Sequence, residues 1–188
     1  MRHKDEAKAG DILRATLDEV QAVGLAGLSM EAVARRAGVA TGTVYVYFKS
    51  KEALLDALYR HTKLKFATFV LRDEGEPLRA AFARIIKAYL DYMIENKSEI
   101  VFMAQMFNSP YVTVETREAV ALGARAVTAL LERGKAEQLL KTIDTGWMTA
   151  FVGGTMHAMA PLAASLRGAQ YRDFQETVAT LCWDALKA

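Results

Sequence analysis

Apolar side chains recur along most of this chain at intervals of three and four residues, the period of helices with one buried face. No run alternates at period two between turn residues for long enough to read as a strand. A first helix is expected over about Asp5–Val23, with Ile12, Leu13, Ala15, Thr16, Leu17, Val20 and Val23 on its inner face and Gly24 at its end. Leu25 and Leu28 plug the core behind it. Ser29 is placed to cap a short second helix, Glu31 puts negative charge in its first turn, and Gly38 supplies the left-handed residue that stops it. A third helix, about Thr41–Tyr47, is too short to stand alone and must lean on its neighbours through Val39, Val44 and Phe48. Ser50 then caps a fourth, running from Lys51 to about Leu71.

The same reading continues to the far end. Pro77 suits the first turn of a fifth helix whose Leu78, Phe82, Ile85, Ile86, Tyr89, Leu90 and Met93 form a wide apolar stripe to about Glu95. Ser98 caps a sixth, which breaks at Asn108-Ser109-Pro110. A seventh is expected from about Tyr111 to Arg133, stopping at Gly134, and residues 135–142 are ambiguous. Asp144 caps an eighth reaching about Arg167, and a ninth covers about Gln170–Leu186. The chain therefore reads as all-α with about nine helices. With 188 residues it is long enough for two cores, divided as a head over 1–50 and a larger helical domain over 51–188.

Two short helices around a glycine corner, with a freshly capped helix behind them, outline a helix-turn-helix that reads DNA. The outer face of the second short helix carries hydroxyls and small apolar groups but no Arg, Lys, Asn or Gln. It is suited to phosphate oxygens and thymine methyls rather than to bidentate base contacts, with close backbone approach at Gly42 and DNA shape adding discrimination. The residues assigned to DNA are Ser29, Thr41, Gly42, Thr43, Tyr45, Val46, Tyr47 and Lys51, the last anchoring a phosphate at the start of the fourth helix. Arg2, His3, Lys4 and Lys8 are readable either as an arm reaching a neighbouring groove or as a frayed, solvated terminus.

The run AGVATGTVYVYFKSKEAL, Ala37–Leu54, resembles the signature of the tetracycline-repressor (TetR) family of bacterial transcription regulators, over roughly residues 10–60. One position departs from it. Where the family usually has Ser at the start of the recognition helix this chain has Ala40, so the cap and its phosphate contact pass to Thr41 or are missing. The resemblance implies a homodimer joined by a four-helix bundle. The eighth and ninth helices fit that role, because Ala150, Gly153, Gly154, Ala158 and Ala160 allow close approach and Leu162, Phe174, Val178, Leu181 and Trp183 offer large partners. It also implies an effector cavity in the larger domain. Phe66, Tyr89, Met93, Phe102, Met103, Met106, Phe107, Trp147 and His157 are its candidate lining, suited to a small apolar or cationic ligand.

Charge adds little. The net +2 is unevenly spread, with 11 basic against 8 acidic side chains in residues 1–65 and 13 against 14 in 66–188, which fits a DNA-facing head. The single Cys182 excludes an internal disulfide and suits a reducing cytoplasm, and it reads as a packed thiol. No signal peptide or membrane span is expected, because the apolar run 146–164 is interrupted by Gly153, Gly154 and His157. No metal or cofactor is expected, since His157 has no second His or Cys a turn away, and Gly153-Gly154 lacks phosphate-loop spacing. No carboxylate pair shares a motif that would suggest an enzyme. The sequence thus points to a ligand-responsive repressor released from a palindromic double-stranded operator, the alternative being a constitutive or architectural DNA-binding regulator without an effector.

Overall fold

The computed structural model describes residues 2–70, 75–107, 109–123 and 125–188. Within them lie ten helices: α1 (Arg2–Gly27), α2 (Met30–Arg36), α3 (Thr41–Tyr47), α4 (Lys51–Val70), α5 (Leu78–Glu95), α6 (Lys97–Phe107), α7 (Val114–Gly123), α8 (Arg125–Ala136), α9 (Thr145–Ala163) and α10 (Gly168–Leu186). Among the described residues the one extended pairing is an isolated antiparallel bridge between Leu140 and Lys187. The fold is all-α, as its periodicity requires.

The chain divides into two compact units, one of Met1–Leu64 with Ser98–Val120, the other of Lys65–Lys97 with Ala121–Ala188. In the first, α1 lies against α2 and α2 against α3. Ile12, Val33, Val44, Leu54 and Leu55 are wholly buried there. Arg36 Nε donates to Glu19 Oε2 at 2.8 Å and ties α2 to α1. This unit does not stop at residue 50: buried Leu54, Leu55, Leu58 and Tyr59 make the first turns of α4 part of it.

In the second unit α5 packs against α9 and α10, and α8 against α9 and α5. The rings of Phe82 and Trp183 meet edge to face at 5.6 Å, a favoured aromatic geometry. Gln175 Nε2 and the Tyr171 hydroxyl both donate to Asp91 Oδ1, at 2.8 and 2.7 Å. Cys182 is buried, and burial pushes its thiol pKa up, which keeps it unreactive.

Several expected boundaries move for identifiable reasons. The basic N-terminal segment is helical, because α1 already begins at Arg2. Gly24 does interrupt the helix, at φ 73° and ψ 173°, before one further helical turn to Gly27. Leu71, the expected end of α4, lies outside the described residues. Ser98 sits inside the first turn of α6 rather than capping it, since the break falls at Asn96 (φ −119°, ψ 42°). The expected helix over 111–133 corresponds to α7 and α8 on either side of residue 124, which is not among those described. The eighth expected helix ends at Ala163, four residues before Arg167.

Gly134 does not stop its helix. It is buried within α8, where an added Cβ would stand 2.5 Å from Leu140 Cδ1 and 2.8 Å from Leu78 Cδ2. The glycine is there for packing. Both neighbours are buried, so Gly134→Ala is expected to destabilise by about 1–3 kcal/mol, read as a lowered thermal midpoint. Gly10→Ala, where a Cβ meets nothing within 4 Å, is expected to leave the midpoint unchanged or raise it.

Candidate nucleic-acid interface

The corner between α2 and α3 is built by local chemistry. The Ser29 hydroxyl accepts from Ala32 N–H at 3.1 Å and caps α2. Gly38, at φ 67°, turns the chain, and Val39 N–H donates back to Ala34 O at 3.0 Å. Ala40 opens α3 with no side-chain cap, so Thr41 does not take over that role. Seven residues cannot hold a helix in water by themselves. Val44, with no exposed surface, is the residue that seats α3 on the unit.

Around that anchor the opposite face stands clear. Val46 is 70% exposed and Tyr45 43%, Gly42 is exposed, and Thr41, Thr43 and Tyr47 are half-buried. Two assigned residues are engaged elsewhere. Ser29 spends its hydroxyl on the cap of α2, and Lys51 Nζ donates to Ala26 O at 2.9 Å. That bond stitches the start of α4 to the end of α1 and leaves two ammonium hydrogens for a phosphate.

Gly42 separates contact from folding. Its added Cβ meets nothing within 4 Å, and alanine favours a helix over glycine by up to about 1 kcal/mol. Gly42→Ala is therefore expected to leave the melting temperature unchanged or raised. DNA affinity should fall roughly tenfold, about 1.4 kcal/mol, if a backbone lies close to the duplex there.

The residues expected to line an effector cavity do not all lie in one unit. In the second unit Phe66 stands edge-on to Tyr89 at 4.8 Å and to Tyr92 at 5.0 Å, and Tyr89 stands edge-on to His157 at 6.4 Å. Burial pushes the Tyr89 hydroxyl up to about 12, so it is a neutral donor at any ordinary pH. Met93 is buried on the same helix as Tyr89. Phe102, Met103 and Met106 are buried in the first unit, while Phe107, the last residue of α6, is 60% exposed. Trp147 is 73% exposed, although the next residue, Met148, is wholly buried. A groove of about 220 Å³ does occur in the second unit, but its lining, which includes Asp91, Glu95, Arg167 and Tyr171, contains none of the expected residues. Tyr92 was the missed member of the aromatic cluster, and its position between stripe residues Tyr89 and Met93 was the available signal.

α9 carries a second open face. Trp147, Phe151 at 48%, Gly154, Ala158 and Leu162 at 61% fall at intervals of three and four, one stripe of the helix, and α10 adds Leu181 at 58%. Ala160, Val178 and Trp183, expected at a dimer surface, are instead buried in the unit's own core. No helix among the described residues is long and apolar enough to cross a membrane.

An outward-facing helix of this kind, held behind a glycine corner, defines a helix-turn-helix DNA-binding head. Residues 12–58 match the bacterial regulatory proteins of the tetR family. The chain is 41% identical to the HTH-type transcriptional regulator BetI of Paraburkholderia phytofirmans, over 79% of this chain and 84% of that one. It is 28% identical to the BetI regulator of Burkholderia thailandensis, over 84% and 89% of the two chains. A TetR family transcription regulator from Marinobacter aquaeolei VT8 shares its fold with a TM-score of 0.89, covering 100% of this chain and 99% of that one at 23% identity. The chain belongs to the TetR family of transcriptional regulators. It is a DNA-binding regulator and not an enzyme.

Proposed function

We propose that this regulator is a cytoplasmic repressor that binds a palindromic operator as a homodimer and leaves it when a small apolar or cationic effector enters the larger domain. The observation that carries the DNA half of this reading is the contrast within α3, where Val44 is wholly buried and its neighbours Tyr45 and Val46 stand open. The DNA-facing set is Thr41, Gly42, Thr43, Tyr45, Val46 and Tyr47, with Lys51 as anchor and Ser29 acting through the cap of α2. Two copies, joined through the stripes on α9 and α10, present their recognition helices to successive major grooves about 34–36 Å apart.

The effector half rests on the cluster of Phe66, Tyr89, Tyr92 and His157, aromatic rings of the kind that suit an apolar or cationic group, one of which already has Lys65 Nζ 5.6 Å from its centroid. Phe66 lies on α4, the helix that starts four residues past the end of α3. Full switching of a strongly one-sided equilibrium asks about 5.5 kcal/mol of differential affinity between the two states. The test is a panel of apolar and quaternary-ammonium compounds, each scored for thermal stabilisation and for release of operator DNA. The reading requires compounds that do both, and loss of both effects in Tyr89→Ala. Compounds that raise the midpoint without touching DNA affinity, or a panel with no effect, would contradict it.

A further inference from the structure

α3 is built of Thr41, Gly42, Thr43, Val44, Tyr45, Val46 and Tyr47 and carries no charge. Binding to duplex DNA nevertheless draws its sequence-independent strength from cations set against phosphates. Those cations must come from residues around the helix. Arg36 is committed, since its Nε donates to Glu19 Oε2 at 2.8 Å. Lys51 is committed in part, with Nζ donating to Ala26 O at 2.9 Å. Lys49 is exposed, and among the described residues it has no hydrogen bond or ion pair.

The backbone sets where that free ammonium goes. Phe48, at φ −133° and ψ 112°, is extended, so the side chains of residues 48 and 49 leave the chain on opposite sides. Phe48 is half-buried, and Lys49 accordingly stands outward. The next acid along the chain, Glu52, is already occupied. The Ser50 hydroxyl, its own backbone N–H and Lys51 hold its carboxyl below the usual carboxylate range. Seven helical residues span about 10 Å, close to the about 12 Å width of the major groove. Lys49 follows Tyr47 by two residues, at most about 7 Å of chain, and its flexible stem adds further reach. A helix seated in the groove therefore delivers this ammonium to the phosphates along the rim and not to the base edges.

We propose that Lys49 is a further phosphate-binding residue of this regulator, one that supplies charge to the DNA interface without holding the fold, whereas Lys51 also stitches α4 to α1. This rests on the reading of α3 as the DNA-facing helix. Lys49 adds affinity for any duplex and takes no part in choosing the sequence.

The test uses an operator selected from random duplexes by the full-length wild-type protein, beside an unrelated duplex. Wild type, Lys49→Gln, Lys51→Gln and Arg60→Gln are titrated against both over a range of salt concentrations and are melted without DNA. Arg60 is an exposed cation of the same unit. It lies about 13 Å along α4 from Lys51, beyond the Debye length of about 8 Å at physiological salt, so it controls for lost charge alone. Lys49→Gln is expected to keep the wild-type melting midpoint and to bind both duplexes about three- to tenfold more weakly at physiological salt. Its plot of log affinity against log salt should flatten by about 0.9 for each copy bound, the share of one phosphate contact. Lys51→Gln should lower the midpoint as well, through loss of the bond to Ala26, and Arg60→Gln should follow wild type. A Lys49→Gln slope equal to that of wild type, one matched by Arg60→Gln, or a lowered midpoint in Lys49→Gln would overturn the proposal. Failure of the α3 reading shows separately, as a Val44→Asp protein that still binds DNA.

Discussion

Val44→Asp is expected to abolish binding to both operator and unrelated duplex DNA while most of the helical signal survives. α3 has seven residues and one buried side chain, and Val44 has no exposed surface. An unpaired carboxylate forced into that place costs about 3–5 kcal/mol, more than so short a helix recovers from its own hydrogen bonds. Phe48 N–H donates to Val44 O at 2.9 Å, so the closing bond of the helix goes with the anchor. Fluorescence anisotropy with labelled duplexes and circular dichroism on the same samples check both halves of the expectation. Binding within threefold of wild type would mean that α3 is not the element that meets DNA.

The second large effect concerns the open stripe of α9 and α10. Leu162→Glu with Leu181→Glu is expected to turn a dimer into a monomer by sedimentation, because each side chain is more than half exposed in the single chain and a charge there costs the monomer nothing. Operator affinity should fall by roughly 10²–10⁴-fold, the loss of effective concentration when two linked half-site contacts become one. Affinity for an isolated half-site should not change. This pattern distinguishes lost assembly from a damaged head, which would weaken the half-site as well.

What could be read from the residue order and what could not differ in physical range. The caps at Ser29, Ser50 and Asp144 were legible because each side chain bonds a backbone N–H three residues on, at 3.1, 3.2 and 3.0 Å, within one helical turn. The corner at Gly38 was legible for the same reason, since a left-handed residue declares itself locally. Gly134 was misread as a helix stop because the atoms that demand a glycine there belong to Leu78 and Leu140, one of them 56 positions away. The bond from Lys51 to Ala26 spans 25 residues, and those from Thr113 N–H and the Thr116 hydroxyl to the Asp56 carboxylate span 57 and 60. No period or motif encodes such pairs. The expected cavity lining was drawn from apolar periodicity, which marks a buried face but cannot say which faces meet, so Phe66, Tyr89 and His157 came together while Phe107 and Trp147 faced outward.

Thymine-to-uracil replacement tests most directly whether the open face of α3, in two copies, reads bases through small apolar contacts. Uracil keeps every hydrogen bond of thymine and removes only the methyl that Val46 is placed to touch. Replacing each thymine of the selected operator in turn is expected to weaken wild-type binding at a few positions, arranged symmetrically in the two half-sites. Val46→Ala should erase that sensitivity at those same positions. A scan with no sensitive thymine, a pattern lacking two-fold symmetry, or a Val46→Ala protein that responds as wild type does would contradict the account.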